Sequence, residues 1–130
     1  MKQPEPEMLA LADGIARFIA GEPLPDDVFD TDVTIIENFA PHIFRSVAVW
    51  HDAMRAHTAT LADMRYAFSD ALDFTHHGDS AFFCLPVTWQ GTLHGRPFRE
   101  LGGKSLVLRR TEQGWRVAAY AWAVMEMRYL

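Results

Sequence analysis

The sequence predicts an α+β fold in which a curved antiparallel sheet wraps around N-terminal helices to form a cone. Two observations lead to this fold class. Long segments of helical periodicity occur early in the chain, whereas the later part alternates apolar and polar residues in runs separated by turns. Helices followed by a meander of strands are typical of α+β domains. A chain of 130 residues is expected to form one domain over 1–130.

Two helices are predicted before the meander. Apolar residues recur at helical spacing over about 6–20, and Gly21 is expected to end this helix. Ser46 is suited to cap a second helix over about 47–60, with Trp50 on its apolar side.

The strands follow from β-branched or alternating runs bounded by turn residues. The predicted strands cover residues 33–39, 64–75, 80–94, 98–111 and 115–126. The last two are joined by a tight turn at Gly114, which can supply the positive φ that such turns need.

Small side chains on the last strand predict free space inside the cone. Alternation from Trp115 places Val117, Ala119, Ala121 and Ala123 on one inner face. Either a helix packs into this space or the space is a pocket, and the pattern leaves both possibilities open.

Composition excludes several classes of function. The net charge of -5 gives no electrostatic footprint for nucleic acid, and no apolar run approaches the ~20 residues of a membrane span. The N-terminus lacks a signal-peptide pattern, and the single cysteine, Cys84, fits a reducing cytoplasm as a buried, inert thiol. The six histidines have no metal-ligand spacing, so neither a metal site nor a cofactor is expected.

Three segments resemble the nuclear transport factor 2-like superfamily, which includes SnoaL-like and ketosteroid isomerase-like proteins. They are FDTDVTIIEN at 29–38, the helix at 47–54 that contains Trp50, and the closing hairpin at 105–117 with its Leu-Arg-Arg and Gly-Trp-Arg-Val. The resemblance implies a cystatin-like α+β roll. It leaves the activity open, because this fold hosts isomerases, dehydratases, cyclases and non-catalytic domains.

The chain departs from this superfamily at expected catalytic positions. The resemblance implies a general-base aspartate near the end of the first strand, where this chain has Asn38, an amide without useful basicity. An aspartate on the penultimate strand is replaced by Ser105 or Leu106, and inner histidines of the last strand by Ala119 and Ala121. Steroid isomerase chemistry in its known form is therefore not expected.

Two residues are candidates for proton transfer. Glu37 shares a strand face with Ile35 and Phe39, and if that face points inward, burial would raise the carboxyl pKa. The alternative places Glu37 at the rim, solvated or paired with a basic residue. His51 could carry a proton near neutral pH, or it could be an imidazole on the helix surface.

The other candidates would line the ligand site. Glu100 and Lys104 share a strand face and are expected near the mouth of the cone, although two solvated charges would give the same pattern. The aromatic candidates could equally be core residues. The predicted ligand-binding residues are Asn38, Trp50, Phe83, Trp89, Glu100, Lys104, Ala119 and Ala121.

Tyr120 and Trp122 are predicted on the outer face of the last strand, where an exposed aromatic pair would mark the interface of a homodimer. The sequence thus favours a cytoplasmic protein that binds a small apolar or aromatic molecule, with or without isomerase, cyclase or dehydratase chemistry. The alternative is a non-catalytic domain for ligand binding, protein interaction or dimerisation.

Overall fold

The computed structural model describes residues 2–130, which form two helices and one curved, unclosed sheet. The elements are α1 (Pro6–Ile19), β1 (Phe29–Ile36), β2 (Ile43–Phe44), α2 (Val47–His57), β3 (Leu61–Phe68), β4 (Leu72–His77), β5 (Ser80–Leu93), β6 (Arg96–Thr111) and β7 (Gly114–Tyr129). The strand order is β2-β1-β7-β6-β5-β3, with β4 also paired to β5. The predicted α+β fold class is confirmed. Neither helix within residues 2–130 is long and apolar enough to cross a membrane.

The sheet differs from the prediction in one strand direction, in one strand division and in the short additional strand β2. β1 runs parallel to β7, with Ile35 opposite Tyr120, whereas the other strand pairs are antiparallel. A parallel pair is possible here because a long stretch of chain, including α2 and five strands, separates β1 from β7. The single strand predicted over 64–75 is two strands, because β3 and β4 pair with different halves of β5.

Local sequence signals set the ends of the helices and the final turn as predicted. The Ser46 hydroxyl accepts a hydrogen bond from the Val49 backbone N–H at 3.3 Å, which caps α2. Gly21 lies just beyond α1 with a φ of 114°, and Gly114 makes the turn into β7 with a φ of 110°.

The sheet extends well beyond the helix that covers it. The 14 residues of α1 span about 21 Å, whereas the 16 residues of β6 span about 53 Å. The apolar side of α1, including Met8, Ile15 and Phe18, is fully buried in the core. One end of the concave sheet is therefore packed by α1, and the other end extends beyond this helix.

A β-bulge changes the facing of β7. Leu108 on β6 lies opposite Val117, but the preceding residue, Val107, lies opposite Ala119. Ala118 is thus an extra residue on β7, and the alternation of inward and outward side chains shifts by one at this point.

The bulge overturns the predicted faces of the last strand. Beyond it, Tyr120 points inward and is 1% exposed, and Trp122 also faces the inside of the cone. Ala119 and Ala121 point to the opposite, convex side, so they do not line the interior. The alternation that starts at Trp115 is valid only as far as the bulge.

Candidate functional site

A cavity of about 200 Å³ lies between the open end of the concave sheet and the C-terminal ends of the two helices. Its wall is mainly apolar. The lining residues are Ile19, Glu37, Asn38, Phe39, Met54, His57, Thr58, Leu61, Met64, Trp89, Leu93, Phe98, Glu100, Lys104, Tyr120, Trp122 and Met127. A cavity of about 150 Å³ can hold benzene, whereas sites for drug-sized ligands typically span roughly 300–1,000 Å³. The size therefore suits a molecule with one substituted ring.

Glu37 is a buried carboxylate at the wall of this cavity. It follows β1 directly and faces inward with Ile35, leaving the residue only 3% exposed. The indole Nε1 of Trp50 donates to its Oε2 at 2.8 Å, which leaves Oε1 as the oxygen available to the cavity. Burial raises the pKa of Glu37, and the Trp50 hydrogen bond and the Lys104 charge only partly oppose this effect.

Lys104 is a fully buried amine in the same cavity wall. Its Nζ donates to the Tyr120 hydroxyl at 3.1 Å and lies 5.1 Å from the centroid of the Trp122 ring. Lys104 forms no ion pair with any of residues 2–130. Burial therefore lowers its pKa to about 8, although the negative charge of Glu37 acts in the opposite direction.

Tyr120 and Trp122 complete the wall around this amine. Burial, with a smaller contribution from the Glu37 charge, raises the pKa of Tyr120 well above its usual value, so its hydroxyl stays protonated. The Trp122 ring lies over Gly102, in space that a Cβ at that position would occupy. Gly102 thus allows the indole to lie against the sheet.

His57 and Glu100 are further titratable groups of the cavity wall. His57 stacks on Phe39 with ring centroids 4.1 Å apart, and burial lowers its pKa, which favours the neutral imidazole. Burial raises the pKa of Glu100, which favours its protonated form. The cavity therefore discourages charge at each of these groups.

This arrangement is suited to proton transfer. A carboxyl group and an amine, both with pKa values shifted toward neutrality by burial, share one apolar cavity without a direct ion pair. Buried ionisable groups with shifted pKa values beside a cavity are typical of sites where acid–base chemistry occurs.

The structure brings together five of the predicted site residues. Glu37, Asn38, Trp89, Glu100 and Lys104 all line the cavity. Lys104 lies deeper than expected, because it is fully buried rather than at the mouth.

The other predicted ligand residues lie outside the lining. Trp50 is buried behind Glu37 as its hydrogen-bond partner, and Phe83 belongs to the packed core. Ala119 and Ala121 point away from the cavity because of the bulge.

His51 is also remote from the cavity. It is half-exposed on α2, where its Nδ1 lies 3.0 Å from Asp52 Oδ1, and it borders a separate surface groove with Phe29 and Arg45. This position is that of the alternative, an imidazole on the helix surface.

Sequence reasoning missed the roles of Tyr120, Trp122 and His57 in the wall. For the first two, no residue preference overrides the alternation that starts at Trp115, because alanine is found fully buried more often than tyrosine or tryptophan. Within residues 2–130, no group of three or more His, Cys, Asp or Glu side chains could hold a metal ion.

Comparison with known proteins identifies the fold. No family model and no curated protein matches the sequence. Among solved structures, hexachlorocyclohexane dehydrochlorinase LinA-type3 from Novosphingobium barchaimii is similar at a TM-score of 0.82 with 9% identity, over 95% of this chain and 87% of that one. A ketosteroid isomerase-like protein from Erwinia carotovora has a TM-score of 0.69 and 16% identity, over 91% and 90% of the two chains.

A protein of unknown function from Pseudomonas putida, described as NTF2-like, is similar at a TM-score of 0.72 with 11% identity, over 90% of this chain and 83% of that one. These similarities agree with the resemblance seen in the three sequence segments, and at such low identity they concern the fold. The chain therefore has the nuclear transport factor 2-like fold.

Proposed function

We propose that the cavity binds a small apolar or aromatic molecule with one polar group, and that Glu37 exchanges a proton with it. The observation that carries this proposal is that Glu37 and Lys104 line the same apolar cavity. Each is buried, and each has one side-chain hydrogen-bond partner. Buried ionisable groups are costly to a fold, so their presence beside a cavity of ligand size favours a role in function.

The positions of Glu37, Lys104 and Tyr120 suggest a separate role for each side chain in proton transfer. Oε1 of Glu37 is the base that removes a proton from carbon, since Trp50 holds the other oxygen. Lys104 and Tyr120 supply N–H and O–H donors for a carbonyl oxygen on which negative charge develops. This division fits reactions of the isomerase, cyclase or dehydratase type.

The cavity size narrows the substrate class. About 200 Å³ suits one ring with a short substituent and is small for a steroid. The base would be Glu37, one residue before Asn38, the position at which the superfamily resemblance implied an aspartate. The similarity to a dehydrochlorinase and to a ketosteroid isomerase-like protein supports an enzymatic role for this fold but does not identify the reaction.

Hydrogen–deuterium exchange of acetophenone tests the proposal. The wild-type protein in D₂O should accelerate deuterium uptake into the methyl group, measured by proton NMR. Glu37→Gln should lower this rate about 100-fold or more, because the amide keeps the Trp50 contact but has no basicity. The matched control is Glu112→Gln, at the exposed turn between β6 and β7, which should leave the rate unchanged.

The same assay separates the second candidate function, a non-catalytic ligand-binding domain. The observation that favours it is Asn38, the neutral residue found where the superfamily resemblance implied a general-base aspartate. Saturable binding of acetophenone without protein-dependent exchange would support this alternative and contradict catalysis by Glu37.

We also propose that the protein forms a homodimer through the convex face of the sheet rather than through Tyr120 and Trp122. Val107 is 38% exposed on that face, beside Ala119 on β7. Val107→Glu should therefore shift the protein toward monomer in sedimentation velocity. An unchanged dimer mass, or a wild-type monomer, would contradict this interface.

A further inference from the structure

We propose that Lys104 forms a reversible imine with the carbonyl group of a small aromatic aldehyde or ketone bound in the cavity. This inference rests on the proposed function, because it requires the cavity to admit a one-ring molecule. It goes further by naming the functional group that the site recognises and by giving Lys104 a covalent role.

The surroundings of Lys104 distinguish it from a structural lysine. Its amine is fully buried and has no carboxylate within ion-pair distance among residues 2–130. Its hydrogen-bond partner is the neutral hydroxyl of Tyr120, at 3.1 Å. A buried lysine without a counter-ion gains little for the fold, but it is the kind of amine that enzymes use as a nucleophile.

These surroundings also favour the reactive form of the amine. Burial lowers the pKa of Lys104 to about 8, so a substantial fraction is neutral under mildly alkaline conditions. Tyr120 stays protonated and can keep Nζ in place in either protonation state. The ring centroids of Tyr120 and Trp122 lie 4.9 and 5.1 Å from Nζ. These rings attract the ammonium form and so partly oppose the effect of burial, but they also keep the amine beside apolar surface rather than bulk water.

The cavity contains the groups that imine formation requires. The neutral Nζ attacks the carbonyl carbon, so that a C–N bond forms and the carbonyl π bond breaks. One of the two Nζ protons passes to the carbonyl oxygen, which becomes a hydroxyl. The carboxyl group of Glu37, whose protonated form burial favours, donates a proton to that hydroxyl. The C–O bond then breaks, water leaves and the C=N bond forms as a protonated imine, whose N–H proton returns to the Glu37 carboxylate. No electrons are gained or lost overall, so no oxidant or reductant is needed.

The walls select an aromatic carbonyl compound. Trp89, Phe98 and Trp122 line the same cavity and offer ring surfaces to an aromatic ligand. A volume of about 200 Å³ leaves room for one ring and its carbonyl group. Filling the cavity would also exclude water, which slows hydrolysis of the imine.

Reductive trapping gives a direct test, since the chain has only two lysines, Lys2 and Lys104. The wild-type protein is incubated with benzaldehyde and cyanoborohydride at pH 8, and the benzylated lysine is located by peptide mass spectrometry. About half of the Lys104 amine should be neutral at this pH, compared with roughly 0.4% for a lysine of ordinary pKa. Modification of Lys104 should thus be about 100-fold faster than that of exposed Lys2. Equal or faster labelling of Lys2 overturns the proposal without the need for any variant.

Benzyl alcohol provides the second arm, because it has the same ring but no carbonyl. An excess of benzyl alcohol should slow the labelling of Lys104 by benzaldehyde and leave the labelling of Lys2 unchanged. If the labelling of Lys104 is not slowed, benzaldehyde does not react from within the cavity and the proposal is contradicted. If benzyl alcohol binds but Lys104 is not trapped, the imine is wrong and ligand binding stands. If benzyl alcohol does not bind and benzaldehyde does not label Lys104, both the imine and the proposed function are wrong. Lys104→Met, with folding verified by circular dichroism, should remove the adduct.

Discussion

The two ends of the concave sheet share the same strands but have different chemistry. At one end, Leu106 and Leu108 of β6 are fully buried in the core that α1 packs against. At the other end, Glu100 and Lys104 of the same strand face a cavity. All four side chains lie on one face of β6, so the difference comes from what covers the sheet.

This difference separates the requirements of folding from those of function. The packed end follows ordinary rules, since apolar side chains fill the space against a helix. The cavity end breaks them, because it buries an amine and a carboxyl group that an apolar residue could replace with a gain in stability. Chains that violate a folding rule locally often do so at functional sites. The comparison therefore predicts opposite effects of mutation at the two ends.

The largest effect is expected at the packed end. Leu108→Ala should lower the free energy of unfolding by about 3–4 kcal/mol, because it leaves a void in a fully buried position. Chemical denaturation measures this loss. Binding of benzyl alcohol by the folded fraction should stay unchanged, and a large loss of affinity would contradict the independence of the two ends.

At the cavity end, Lys104→Met should stabilise the protein at pH 7. A pKa lowered from 10.5 to about 8 means that burying the charged amine costs the folded wild-type protein about 3 kcal/mol. In the variant the Tyr120 hydroxyl loses its hydrogen-bond partner, which costs about 1 kcal/mol. The free energy of unfolding should therefore rise by about 2 kcal/mol. Between pH 8 and 10.5 the unfolded wild-type chain keeps a proton that the folded chain has lost. Wild-type stability therefore rises with pH over this range and the gain from the variant disappears.

Denaturation at several pH values measures that trend. Lys2→Met is the matched control, because Lys2 is exposed and its replacement should change the stability by less than about 0.5 kcal/mol. A destabilised Lys104→Met variant, or a gain in stability that does not depend on pH, would show that burial of the charged amine does not destabilise the fold.

A smaller effect is expected at the neighbouring glycines of β6. A Cβ at Gly102 would overlap the Trp122 ring and the Ala123 carbonyl, whereas one at Gly103 would meet nothing within 4 Å. Gly102→Ala should lower stability by about 1–2 kcal/mol and weaken benzyl alcohol binding, because Trp122 must move. Gly103→Ala is the control, with little change in either property. Equal effects of the two variants would contradict the placement of the Trp122 ring.

Most of the architecture could be predicted from local signals. The apolar periodicity of α1, the Ser46 cap of α2 and the glycine turn into β7 each depend on a few neighbouring residues, and each is confirmed. The sequence left open whether Glu37 points inward or lies at the rim, and the structure places it inward with Ile35.

The faces of β7 could not be predicted in the same way. One extra residue, Ala118, reverses the facing of every later position up to the next irregularity, and nothing in the residues themselves marks a bulge. The deep burial of Lys104 depends on its neighbours across the sheet, Leu85 and Trp122, which only the strand register reveals. The parallel pairing of β1 with β7 is long-range for the same reason.

The indole N–H signals of the four tryptophans test most directly whether the cavity end is a ligand site. Trp89 and Trp122 line the cavity, and Trp115 lies in the packed core. In a ¹H–¹⁵N NMR titration with benzyl alcohol, the signals of Trp89 and Trp122 should shift in a saturable manner, and the signal of Trp115 should not move. A saturable shift of Trp115 alone, or no saturable shift of any indole, would contradict the account.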